Sequence, residues 1–171
     1  MNNIFLIGMM GSGKSTLAPS LAKKLNMDYI DTDLDLTNIL DMNLKNIFDF
    51  IGEKRFRNME SAYFKEHTKQ NNFIYALGGG IILKKENREI LINKGDSIFL
   101  DVSKKELNKR LEVNSINRPL LNIKGDMEKI YDERYNLYKS SANITIHCDG
   151  KNINQICNKI IQKLKNNENN K

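Results

Sequence analysis

At 171 residues the chain suits one domain, long enough to bury about two-thirds of its unfolded surface in a single core, and 40% hydrophobic with 28% charged residues reads as globular. No apolar run approaches the ~20 residues that a spanning helix needs, so a soluble protein is expected. The net charge of +6 comes from 27 basic residues scattered among 21 acidic ones, neither massed in a block nor interleaved with aromatics; it marks a solvated surface, and no nucleic-acid partner is expected.

The chain enters an apolar run at once, Ile4 to Ile7, with no basic leader or small-residue cleavage site before it, so a cytoplasmic protein is expected. The run reads as a strand, and Leu17, Leu21 and Leu25, with Ala18 and Ala22 beside them, recur at helical spacing. Between the two, Gly8-Met9-Met10-Gly11-Ser12-Gly13-Lys14-Ser15 matches the phosphate-loop pattern G-x-x-x-x-G-K-[ST] and is followed by Thr16. Glycines let the backbone curl so that successive N–H groups and a helix N-terminus face an anion. Gly11, Ser12, Gly13, Lys14, Ser15 and Thr16 are therefore expected to hold ATP, with Lys14 on the β- and γ-phosphates and the Ser15 hydroxyl on Mg²⁺. Pro19 falls inside the following helix, where it lacks the N–H that would bond to the Ser15 carbonyl and predicts a kink.

A second run at Tyr29 and Ile30 ends in Asp31-Thr32-Asp33. Two acids two apart in an extended segment point the same way, here toward the phosphates. Asp31 is expected to orient Mg²⁺ through a water, and Asp33 to accept hydrogen bonds, and the departing proton, from an acceptor hydroxyl. The alternative is that both cap the next helix. Helical patterns follow through Ile47, Phe48 and Ile51, then Phe56, Met59 and Tyr63, where Arg55 falls on a polar face and His67 in a charged stretch.

Phe73 to Leu77 reads as a third strand opening onto Gly78-Gly79-Gly80, with a helix from about Lys84 to Lys94 that puts Arg88 on its polar face. Ser97 to Val102 is a fourth strand, and Ser103-Lys104-Lys105-Glu106 is a capping box opening a helix that ends near Leu111. Residues 112–125 carry no clean period and contain Arg118-Pro119, so a mobile loop is expected there. A helix from Met127 to Tyr138, a fifth strand from Ile144 to His147 and a last helix through Ile153, Ile156, Ile160 and Leu164 follow, with a disordered tail over 166–171. Cys148 and Cys157 lack a metal or redox spacing and read as reduced, buried thiols, and neither histidine is needed for phosphoryl transfer.

Strands alternating with helices imply right-handed crossovers: a single-domain α/β protein over residues 1–165, three layers α/β/α around a five-stranded parallel sheet, with ligands beyond the carboxyl ends of the strands.

The phosphate loop, Asp31-Thr32-Asp33, Gly52-Glu53 with Phe56-Arg57 and Glu60, Gly78-Gly79-Gly80, Arg118-Pro119-Leu120-Leu121 and Arg134-x-x-x-Tyr138 occur in the order of the shikimate kinase family, and the resemblance spans almost the whole chain. It implies a P-loop fold like that of nucleoside monophosphate kinases and transfer of phosphate from ATP to the 3-hydroxyl of shikimate, a carboxylate-bearing cyclohexene, by a monomer using ATP and Mg²⁺. The resemblance assigns the substrate carboxylate to Arg57 and Arg134, whose planar guanidinium suits two oxygens at once, with Glu60 orienting Arg57. It assigns Gly79 and Gly80 to the substrate through their backbone N–H groups, Arg118 to a lid over the ATP phosphates near 112–125, and Arg110 and Lys151 to the two sides of the adenine. The rivals are another small-metabolite or nucleoside monophosphate kinase, and a nucleotide-binding module without catalysis.

Overall fold

Five short runs rich in Ile, Phe, Leu and Tyr pair side by side as parallel strands: β1 (Asn3–Ile7), β2 (Asp28–Asp31), β3 (Phe73–Ala76), β4 (Gly95–Asp101) and β5 (Ile144–His147), in the order β2-β3-β1-β4-β5. The computed structural model describes residues 2–114 and 123–168. All five residues of the central β1 are buried, which is why Ile4 to Ile7 form a continuous apolar run with no alternation. Ile4 lies opposite Ile74 of β3 and Leu6 opposite Ile98 of β4.

Seven α-helices lie between the described strands, α1 (Lys14–Leu25), α2 (Thr32–Leu40), α3 (Leu44–Ile51), α4 (Glu53–His67), α5 (Lys85–Asn93), α6 (Lys104–Asn114) and α7 (Ile123–Ser140), and α8 (Ile153–Glu168) follows the last strand. Helix α1 packs on α8 and on β1 to β3, while α5 lies along β4. Phe5, Phe64 and Tyr75 meet edge-on or tilted between sheet and α4, with the Phe5 and Phe64 centroids 5.4 Å apart. Away from this main core, Leu36, Ile47 and Phe56 form a small second core that holds α2, α3 and α4 together.

The boundaries depart from the sequence expectation in three places. Helix α2 begins at Thr32, because the Asp31 carboxylate accepts a hydrogen bond from the Leu34 N–H at 3.2 Å and caps it. Asp33 therefore sits in a first helical turn, and the argument that an extended chain aims both acids the same way does not hold. Helices α6 and α7 take both ends of the stretch expected to be a loop, α6 running to Asn114 and α7 starting at Ile123. Nothing between Leu111 and Asn114 breaks a helix, and one Gly125 costs only about 1 kcal/mol within one. Helix α8 runs through Glu168, so residues 166–168 are helical and not a disordered tail, since the buried face of Ile156, Cys157 and Ile160 anchors the helix that they extend. Arg118 and the centre of the expected lid lie outside the described residues.

Ser103 caps α6 as expected, its hydroxyl accepting from the Glu106 N–H at 3.2 Å. Cys148 and Cys157 are buried and unpaired. Helix α1 passes unbroken through Pro19.

Candidate active site

An open cleft of about 1040 Å³ lies at the carboxyl ends of the central strands, and the phosphate loop forms one wall of it. Gly13 caps α1 with φ of 96°, a left-handed conformation that admits glycine without strain, and so turns the loop into the helix N-terminus. The Lys14 ammonium donates to the carbonyls of Gly8 at 2.8 Å and Met9 at 2.9 Å. Gly11, Ser12, Gly13, Lys14, Ser15 and Thr16 all line the cleft.

Arg110 and Lys151, far apart in sequence, face the same cleft as the loop. Glu106 accepts from Arg110 Nε at 2.8 Å, and the far end of that guanidinium lies 3.4 Å from the carbonyls of Gly11 and Ser12. Asp31 and Asp33 also line the cleft. Among the described residues no three His, Cys, Asp or Glu side chains gather as a metal cage. One hydroxyl from Ser15 and one carboxylate from Asp31 are a donor set suited to Mg²⁺, which keeps most of its waters and takes phosphate oxygens.

A second group of polar side chains meets around the three glycines. The Asp33 and Glu60 carboxylates both crowd Gly78, where a Cβ would fall 2.5 Å from Asp33 Oδ1. Thr32, buried between the two acids of its motif, accepts from the Gly78 N–H at 3.1 Å and ties the start of α2 to this turn. Arg57 pairs with Glu60 at 3.0 Å and with Glu53 at 3.2 Å, and its guanidinium lies over the rings of Phe48 and Phe56 at 5.6 and 5.3 Å. That guanidinium fills the space a side chain on Gly80 would need, so Gly80 must be small to admit Arg57. Gly79 is different: its carbonyl accepts from Tyr138 Oη at 2.5 Å and from Arg134 Nη1 at 3.3 Å.

Burial and close charges shift the titrating groups here. The Glu60 side chain is 1% exposed, its Oε1 has no hydrogen-bond partner, and desolvation lifts its pKa above the ordinary value, with Arg57 offsetting only part of the effect. Burial works against the Arg57 charge, but Glu60 and Glu53 outweigh it and hold the guanidinium above its ordinary range. Burial also pushes the Tyr138 phenol up to about 12, with Arg134 pulling the other way.

Every described site residue expected from the sequence is thus in one of two adjoining groups, the phosphate loop with Asp31, Asp33, Arg110 and Lys151, or the glycine turn with Arg57, Glu60 and Arg134. The sequence reading gave no role to Thr32, Phe48 or Tyr138. Two had a signal, Tyr138 four residues after Arg134 and so on the same helix face, and Thr32 between the two acids of its motif; Phe48 had none. The histidines lie elsewhere: the ring of His67 stacks on Tyr63, and His147 pairs with Asp101 at 2.8 Å.

This geometry has counterparts. Residues 10–165 match the family described as shikimate kinase. A shikimate kinase of Sulfurihydrogenibium sp. (strain YO3AOP1) is 39% identical over 168 residues, 96% of this chain and 99% of that protein. Another, from Chromobacterium violaceum, is 33% identical over 165 residues, 95% of this chain and 89% of that one. Among solved structures, a shikimate kinase from Acinetobacter baumannii in complex with shikimate superposes with a TM-score of 0.91 at 29% identity, covering 98% of this chain and 94% of that chain.

Proposed function

The chain belongs to the shikimate kinase family, and from that premise we propose how its own residues divide the work. It is an ATP-dependent kinase that transfers the γ-phosphate to the 3-hydroxyl of shikimate, giving shikimate 3-phosphate and ADP. One observation carries the division of roles: two guanidinium groups, from Arg57 and Arg134, reach the adjacent glycines Gly80 and Gly79, beside a cleft whose wall is the phosphate loop.

Arg57 and Arg134 grip the shikimate carboxylate. Two planar forks at adjacent glycines suit the two oxygens of one carboxylate. Asp33 accepts hydrogen bonds from the ring hydroxyls and receives the proton as the 3-hydroxyl attacks, and Gly79 and Gly80 bring backbone N–H groups close to the ring. Gly11 to Thr16 hold the ATP phosphates, with Lys14 turning from the loop carbonyls to the transferred group, and Arg110 and Lys151 flank the adenine. Ser15, and Asp31 through a water, are the residues that hold Mg²⁺, which when bound neutralises phosphate charge. Arg118, in the Arg-Pro-Leu-Leu segment of a lid near 112–125, covers the phosphates and excludes water that would waste ATP. Phosphoryl transfer asks the protein for little covalent chemistry, so the rate rests on positioning and charge. The enzyme works as a cytoplasmic monomer. None of the described helices is long and apolar enough to cross a membrane.

The test is a coupled ADP-release assay with Mg-ATP against shikimate, quinate, gluconate and nucleoside monophosphates, with Lys14→Ala and Arg57→Ala beside the wild type. Turnover is expected with shikimate, with a loss of at least about 100-fold in Lys14→Ala and a raised KM for shikimate but not ATP in Arg57→Ala. Preference for a nucleotide acceptor, or equal loss of both substrates in Arg57→Ala, would overturn the clamp.

A further inference from the structure

The acceptor site is assembled from two helices that owe it to each other to stay in register. Helix α2 carries Asp33 and helix α4 carries Arg57 and Glu60. Each is tied separately to β3: Thr32 at the start of α2 bonds the Gly78 N–H just past the strand, and the Tyr75 hydroxyl donates to the His67 carbonyl at the end of α4 at 2.8 Å. Between those ties the helices rest on a small second core with Leu36, Ile47 and Phe56 at its centre.

A side-chain hydrogen bond bridges them there. Tyr63 Oη donates to Asp35 Oδ2 at 2.6 Å, the short distance of a hydroxyl bonded to a carboxylate. Asp35 follows Asp33 by two residues, about 200° further round the helix, so one acid faces the cleft while the other faces α4. Tyr63 follows Glu60 by three residues, on the neighbouring face of α4. The Tyr63 ring is itself held by the His67 ring, stacked 3.8 Å away and 21° from parallel. Burial first, then the bond to Asp35, keep the phenol pKa well above its ordinary value, so the hydroxyl is a donor throughout the working pH range. With the two ties to β3, the bond closes a ring of contacts from β3 through α2 and α4 and back to β3.

We propose that Tyr63 and Asp35 form a strut that sets the distance from Asp33 to the Arg57–Glu60 pair, and so act as positioning residues for the acceptor. The inference rests on the reading of Asp33 and Arg57 as the acceptor site. Neither strut residue touches the cleft, and loss of the bond acts on shikimate alone.

Tyr63→Phe keeps the ring and its stacking and removes only the donor. Its KM for shikimate is expected to rise roughly 5-fold, with the KM for ATP within about twofold of wild type. Asp35→Ala should match it, Asp35→Asn, which keeps an accepting oxygen, should stay near wild type, and the Tyr63→Phe/Asp35→Ala double variant should be no worse than either single one. An unchanged KM for shikimate in Tyr63→Phe, or equal rises for both substrates, overturns the strut. Arg57→Ala run alongside separates the two readings: a raised KM there with none in Tyr63→Phe sinks the strut alone, whereas no rise in Arg57→Ala sinks the clamp and the strut with it.

Discussion

Gly80 has an ordinary backbone, with φ of −91°, yet the Arg57 guanidinium occupies the place of its missing side chain. Gly80→Ala is therefore a steric test with no dihedral penalty. It should displace Arg57, raise the KM for shikimate roughly 10-fold or more and cost about 1–3 kcal/mol of stability, read by steady-state kinetics and urea unfolding, while ATP binding is kept. Glu60 makes a second prediction at this scale. Its folded pKa lies above the ordinary 4.5 because burial outweighs the attraction of Arg57. Between those two values the folded chain keeps a proton that the unfolded chain has released, so the stability Glu60 contributes is complete below pH 4.5 and is lost as pH rises through the folded value. Glu60→Gln does not titrate, and its thermal midpoint should fall less than that of the wild type between pH 4.5 and 8. Equal slopes would mean that Glu60 is already ionised in the folded protein at low pH.

At the scale of elements, the P-loop helix carries an internal conflict. Pro19 removes the N–H that would bond to the Ser15 carbonyl, yet α1 runs unbroken from Lys14 to Leu25, with Leu17, Ala18, Leu21 and Ala22 buried against the sheet. Packing of that face outweighs the lost bond. Pro19→Ala should add about 1–3 kcal/mol of stability in urea unfolding and leave the KM for ATP unchanged; a shifted KM would mean that the proline shapes the loop's helix. Helix boundaries tell the same story from the other side. The strand pattern at Tyr29 and Ile30 was legible, but the side chain of Asp31 capping α2 decides that Asp33 is helical, and a cap competes with continued strand on margins that a hydrophobic pattern does not register.

Across the whole molecule, a kinase that binds two substrates in its folded state makes stability a readout of both. A Mg-ATP analogue and shikimate at about 100 times their Kd should each stabilise the protein by roughly 2.7 kcal/mol, seen as a rise in Tm, whereas RNA at moderate salt should not. A Tm that answers to nucleotide alone would favour a nucleotide-binding module. The sequence by itself determined the parallel α/β class and the phosphate loop, and it named most of the candidate site residues, because a strand's apolar run, a helix's four-residue spacing and a glycine-lysine loop are written in neighbouring positions. Only the tertiary structure decided the strand order β2-β3-β1-β4-β5, the fit of Arg57 over Gly80, the hold of Tyr138 on Gly79 and the bond from Tyr63 to Asp35. Those pairs lie 23 to 59 positions apart, and what brings them together is the packing of helices on a sheet, a sum of many contacts that no short stretch of chain encodes.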